Sequence, residues 1–123
     1  VELEFKSNLS DQVISTDQAV PLAMFVTEAM TNAYKHAFKT ASPGHVLSVS
    51  IMAIDKDGDD WIEAVVADNG PGYDPATPRR RGVGSSLFDA FAMQLDGENE
   101  IRTAVGKGMS IRLRFPLDGE AES

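Results

Sequence analysis

The sequence predicts one domain of the α+β class, in the order strand, helix, strand, strand, helix, strand, strand. Three observations carry this. Apolar residues recur at three-and-four spacing in two stretches, Leu22 to Ala37 and Leu87 to Leu95. Five other stretches read as strands, three of them (Val1 to Lys6, His45 to Ile54 and Met109 to Pro116) by alternation of apolar and polar residues. An Asp-Gly turn joins two of those five. At 123 residues, with 42% hydrophobic and 24% charged, the chain fits one ordinary globular core.

The first strand is expected at Val1 to Lys6, half-buried, with Val1, Leu3 and Phe5 alternating against Glu2, Glu4 and Lys6. A connection follows, with a short strand at Gln12-Val13-Ile14, and Thr16 or Asp17 is placed to cap the first helix. That helix runs from Pro21 to Phe38, its proline sitting where a missing N–H costs nothing. Leu22, Phe25, Val26, Ala29, Met30, Ala33 and Ala37 form its buried stripe. Glu28, Asn32 and His36 lie beside the stripe at intervals of four, with Lys35 one position off their line. Two readings fit: a solvated face, or a site where a carboxylate, an amide oxygen, an imidazole and an ammonium hold a hydrated divalent cation and the phosphates it bridges.

Lys39 to Gly44 is a loop, and His45 to Ile54 a strand. Asp55 to Asp60 is a solvated hairpin turn, too short for an EF-hand, and Trp61 to Ala67 is the return strand. The chain then enters Asp68-Asn69-Gly70-Pro71-Gly72-Tyr73, where the glycines permit close approach of a flat ligand. A carboxylate ending a buried strand needs a partner. Asp68 either caps the turn through an Asx bond or accepts from an exocyclic amine such as that of adenine. The loop that follows carries Arg79, Arg80 and Arg81, which serve either solubility or a lid that meets phosphate. Gly82-Val83-Gly84-Ser85-Ser86 opens the second helix, whose N-terminal amides suit a phosphate. Asp96-Gly97 ends that helix with the glycine near its C-cap, and strands are expected at Glu98 to Thr103 and Met109 to Pro116.

The totals exclude several classes. A net charge of −8 argues against non-specific nucleic-acid or anionic-membrane binding. With no cysteine there is no disulfide, thiolate zinc site or cysteine nucleophile, as in a cytoplasmic protein. No apolar run approaches the roughly 20 residues needed to span a bilayer.

Three stretches then fall in register: Glu28-x-x-x-Asn32-Ala33-x-Lys35-His36-Ala37, Asp68-x-Gly70-x-Gly72, and Gly82-x-Gly84 opening a helix. Their order and spacing resemble the N, G1 and G2 boxes of the GHKL (Bergerat-fold) ATPases. The wording of the first box is similar to the catalytic domain of bacterial sensor histidine kinases, and most of all to their HWE-like branch. The resemblance covers about Leu3 to Leu117. It implies a two-layer α/β sandwich, a mixed sheet packed on helices, that binds ATP with Mg²⁺. Asn32, with Glu28, would hold the metal. Glu28 would also orient water or act as a weak base, and Lys35 would neutralise phosphate charge. His36 would line the nucleotide, and Asp68 would accept from the adenine amine, with Gly70, Gly72 and Tyr73 around the ring. Gly82, Val83, Gly84 and Ser85 would form the lid hinge and offer N–H groups to phosphate, with Arg79 to Arg81 on the lid.

The same resemblance implies transfer of the γ-phosphoryl group to a histidine on a helical dimerisation domain, then relay to a response regulator. Neither His36 nor His45 suits that acceptor role. The chain is therefore expected to be the C-terminal piece of a longer phosphoprotein, its acceptor lying upstream. Two departures stand out. The second glycine box reads Gly-Val-Gly-Ser-Ser, not Gly-Leu-Gly-Leu. Met109, followed by Ser110, stands where the family often carries Thr or Ser, which weakens the hydroxyl bridge expected to the adenine-binding carboxylate. Two rivals keep the fold: a stand-alone anti-sigma-factor serine kinase, and an adaptor without nucleotide. The second usually loses the residues that stand here as Asn32 and Asp68.

Overall fold

The computed structural model describes residues 2–7, 14–34, 46–69, 85–103 and 108–117. The five expected stretches become strands β1 (Glu2–Ser7), β2 (Val46–Lys56), β3 (Asp59–Asp68), β4 (Glu98–Thr103) and β5 (Met109–Pro116). The two periodic stretches become helices α1 (Thr16–Asn32) and α2 (Ser85–Gln94). The strands form one mixed sheet in the order β1-β2-β3-β5-β4, parallel between β1 and β2 and antiparallel elsewhere.

Alternation sorts the sheet into two faces. Ile62, Ala64 and Val66 of β3 stand across from Phe115, Leu113 and Ile111 of β5, and all six are buried beneath the helices. From the helix side, Leu22, Phe25 and Ala29 of α1 meet Phe88, Phe91 and Ala92 of α2 in the same core. The Phe25 and Phe88 rings pack tilted, with centroids 5.0 Å apart. Residues 63, 112, 114, 100 and 102 fall on the opposite, open face, where arginine and glutamate pair both across strands and, in β4, along one. Arg114 Nε donates to Glu63 at 2.9 Å, Arg102 Nε lies 3.2 Å from Glu100, and Arg112 joins both carboxylates.

The β2–β3 hairpin forms at the Asp-Gly signal. Asp57 and Gly58 both take positive φ, at 55° and 87°, and the Gly58 N–H donates to the Asp55 carboxylate at 3.0 Å. Four readings need correction. β1 forms, but Leu3 and Phe5 are 56% and 62% exposed, because α1 lies over β3 and α2 over β4 and β5, away from that edge. The helix starts earlier than expected. The Ser15 carbonyl accepts from the N–H groups of Gln18 and Ala19, so Ser15 is the cap, not Thr16 or Asp17. Pro21 consequently sits inside α1, at its sixth position, not at its start. At the end of α2 the left-handed residue is Asp96, with φ 56°, not Gly97. The Gly97 N–H reaches back to the Ala92 carbonyl and the Asp96 N–H to that of Met93, a Schellman motif. A side chain at Gly97 would instead meet the Arg114 carbonyl and, at 2.8 Å, Phe115.

Of the short strand expected at residues 12–14, only Ile14 is described. It packs against the core outside any strand. Among the described residues no helix is long and apolar enough to cross a membrane.

Truncating Phe25, which is fully buried, should cost about 3–5 kcal/mol of unfolding free energy, read by urea denaturation of Phe25→Ala. Arg102, and then Arg112, hold the Glu100 carboxyl below its ordinary value. A lowered folded value stabilises above the ordinary carboxylate range, and that contribution is lost as pH falls through it. Glu100→Gln should therefore lower the melting temperature slightly at pH 7, and the difference from wild type should shrink as the pH falls below the ordinary carboxylate range.

Candidate functional site

Both helices are tied down at the same end of the sheet. At the start of α1, buried Gln18 donates from Nε2 to the Pro116 carbonyl at 2.8 Å. Pro116 ends β5 and pairs with Trp61 near the start of β3. At the finish of α2, Gly97 sits against Arg114 and Phe115, and the Asn99 amide donates to Asp89 at 3.0 Å. One helix therefore begins, and the other finishes, at the Phe115–Pro116 end. α1, about 25 Å long from its 17 residues, runs toward the opposite end, and α2 starts there. That opposite end is where β3 finishes at Asp68 and β5 begins at Met109.

Asn32 is the last residue of α1 and is only 8% exposed. It lies seven positions after Phe25, so it falls within about 20° of the line that packs on Phe88. Its amide is thus turned toward α2 and the interior. Glu28, one turn earlier on the same flank, is half-buried.

Asp68 continues the line Ile62, Ala64, Val66, and pairs with Leu47 on one side and Met109 on the other. Its half-buried carboxylate accordingly belongs to the helix-covered face, at the mouth of the core. Ser85 is the first residue of α2, so the unpaired N–H groups of that helix open at this end as well. The other expected site residues, Lys35, His36, Gly70, Gly72, Tyr73, Arg79, Arg80, Arg81, Gly82, Val83 and Gly84, lie outside the described residues.

The donor chemistry is that of a mixed-charge ligand. An amide oxygen and a carboxylate stand on α1, a carboxylate acceptor stands at the end of β3, and a helix N-terminus offers donors. Among the described residues no three carboxylate, imidazole or thiolate groups gather into a metal cage. Glu28 and Asn32 suit an ion that keeps several waters and takes further oxygens from substrate phosphate, as Mg²⁺ does.

The family model that describes histidine kinase-, DNA gyrase B- and HSP90-like ATPases matches residues 17–119. The chain belongs to this ATPase family. Its α+β fold, a mixed five-stranded sheet with two helices on one face, is that of the family's histidine kinase catalytic domains. The catalytic domain of the histidine kinase ThkA superposes with a TM-score of 0.71 at 12% identity, over 98% of this chain and 80% of that one. The Erythrobacter litoralis EL346 blue-light activated histidine kinase superposes at 0.72 with 22% identity, over 99% of this chain and 37% of that one. In sequence, the ATPase domain is 31% identical over 108 residues to the sensor histidine kinase PdtaS of Mycobacterium tuberculosis. The match takes in 85% of this chain and 21% of the relative, so the domain spans about a fifth of that protein's length.

Two residues at this end of the ATPase domain escaped the sequence reading. The Asn69 side chain accepts from the Val46 N–H at 2.8 Å, and Gly108, with φ 78°, packs against the Asp68 carbonyl. The available signals were an Asn directly after a strand and a Gly directly before one.

Proposed function

We propose that this domain is the ATP-binding catalytic unit of a bacterial sensor histidine kinase. It acts with a helical dimerisation domain that carries the acceptor histidine, in the cytoplasm and without contact to nucleic acid or membrane. A response regulator then receives the phosphoryl group. What supports this most is the arrival of Asn32, Asp68 and the N-terminus of α2 at one end of the sheet, in a chain of this ATPase family. The sensor histidine kinase among its relatives gives the direction of the chemistry.

In this reading Asp68 accepts from the adenine amine, and Gly70, Gly72 and Tyr73 let the ring lie close. Asn32 and Glu28 would hold the Mg²⁺, which would supply positive charge to offset that of the phosphates. Lys35 neutralises phosphate oxygens, and His36 lines the nucleotide beside it. Gly82, Val83, Gly84 and Ser85 offer backbone donors, while Arg79, Arg80 and Arg81 close over the γ-phosphoryl group. The chain itself contributes position and charge, because phosphoryl transfer asks little covalent chemistry of the protein. A nitrogen of the acceptor imidazole forms the new P–N bond as the bridging P–O bond breaks and ADP leaves.

Calorimetric titration of ADP and a non-hydrolysable ATP analogue, with and without Mg²⁺, tests this. Wild type should bind both, more tightly with the metal. Asn32→Ala should lose the metal-dependent increment. Asp68→Asn should weaken adenine-nucleotide binding about 10- to 100-fold, as expected when a charged acceptor is replaced by a neutral one. A folded wild type that binds neither nucleotide would overturn the assignment.

A further inference from the structure

We propose that Asn69, which clips the end of β3 to β2, and Gly108, which leads into β5, are positioning residues that hold the Asp68 carboxylate where it reads the nucleotide base. The inference rests on the reading of Asp68 as the base acceptor and adds to it the origin of base selectivity.

Asp68 is the last residue of β3, the place where a strand ordinarily frays. Beyond it the ladder with β2 would next pair Asn69 with Val46. It does so in an unusual way. The Asn69 N–H donates to the Val46 carbonyl at 3.3 Å, as a ladder residue would. The Val46 N–H, however, donates to the Asn69 side-chain oxygen at 2.8 Å. The carboxamide thus takes the place that the Asn69 carbonyl would hold in a continued ladder. The chain can turn out of the sheet immediately after Asp68 while Asp68 stays locked to β2.

On the other side, Met109 is the ladder partner of Asp68, and Gly108 leads into it. Gly108 is buried and has φ 78°, a conformation that favours glycine. A Cβ there would collide with the Asp68 carbonyl oxygen and come within 3.1 Å of the Asn69 Cα. Both neighbours are backbone, so relief requires moving Asp68 and Asn69 themselves. The two devices meet on the same peptide, one fixing it to β2 and one setting how close β5 approaches.

The consequence is chemical. A carboxylate discriminates a base only if it sits within hydrogen-bond reach of the right edge atom. Adenine offers an amine there, and guanine offers a carbonyl oxygen, which a carboxylate repels. Displacing Asp68 should therefore erode the preference for adenine, not merely weaken all binding.

The experiment is isothermal titration of ADP and GDP into wild type, Gly108→Ala, Asn69→Ala, Asn69→Asp and Gly97→Ala, with melting temperatures alongside. Gly108→Ala and Asn69→Ala should each reduce the ADP-over-GDP preference about tenfold. Asn69→Asp keeps an acceptor for the Val46 N–H and should restore much of it. The preference is read as a ratio because the added charge also repels the phosphates of both diphosphates. Gly97→Ala, equally crowded but against Arg114 and Phe115 at the far end, should lower the melting temperature and leave the preference intact. Should Gly108→Ala fail to fold, the exposed Asn69 pair of variants still decides. Wild-type preference in Asn69→Ala would overturn the proposal while leaving the assignment of Asp68 standing. Absence of ADP binding by folded wild type would overturn both.

Discussion

The hydrogen bond from Gln18 to the Pro116 carbonyl and the fit of Gly97 against β5 fix the two helices at one end of the sheet, and the candidate site is the consequence at the other. Because one helix departs from that end and the other arrives at it, the finish of α1 and the start of α2 must lie together. The Phe25–Phe88 contact then sets how closely the helices approach between those ends. The buried amide of Asn32 stands at the end of the apolar stripe of α1, where the core gives way to the site. The site is thus assembled by elements whose holding contacts lie far from it. A core substitution such as one at Phe25 would disturb it without touching any ligand.

The sheet does two different things with its two faces. Beneath the helices it is apolar, and along β3 that line ends in the Asp68 carboxylate. On the open face arginines on β4 and β5 alternate with glutamates on β3 and β4, and each described arginine there has a glutamate partner. Three of the chain's eleven basic residues are committed to that face. In a chain of net charge −8, little cationic character is left to meet an anion by bulk attraction. Binding of an anion such as a phosphate would then rest on donors concentrated locally, not on the charge of the chain as a whole.

How much of this was legible in the sequence depended on the kind of interaction. β5 was readable to its end residues because Ile111, Leu113 and Phe115 alternate with Arg112 and Arg114 without interruption. The hairpin was readable because only a few residue pairs tolerate two positive φ values, and Asp-Gly is one of them. The faces of α1 were readable from spacing, and its start was not. The pull on Gln18 comes from Pro116, 98 positions away, and no local signal carries it. β1 failed in another way. Alternation states that one face can be buried, whereas the placement of α1 over β3 decides that Leu3 and Phe5 are not. Of the site, residue types and order were visible as motifs, but the clip between Asn69 and Val46 is tertiary and left no trace in spacing.

Met109 brings these threads together. The family resemblance led to the expectation that losing a hydroxyl at this position would weaken the hold on the carboxylate. The register does not let the next residue, Ser110, stand in for it. Ser110 pairs with Ala67, one residue out of step with the Asp68–Met109 pair, so its hydroxyl belongs to the open face. Met109 itself packs against the core and supplies no donor of the hydroxyl kind. Among the features that fix Asp68 are the ladder it ends, the Asn69 carboxamide that closes that ladder, and the close seat of Gly108. A backbone that cannot shift can define where a carboxylate points as firmly as a side-chain hydrogen bond can. It does so through steric exclusion, which neither pH nor salt weakens.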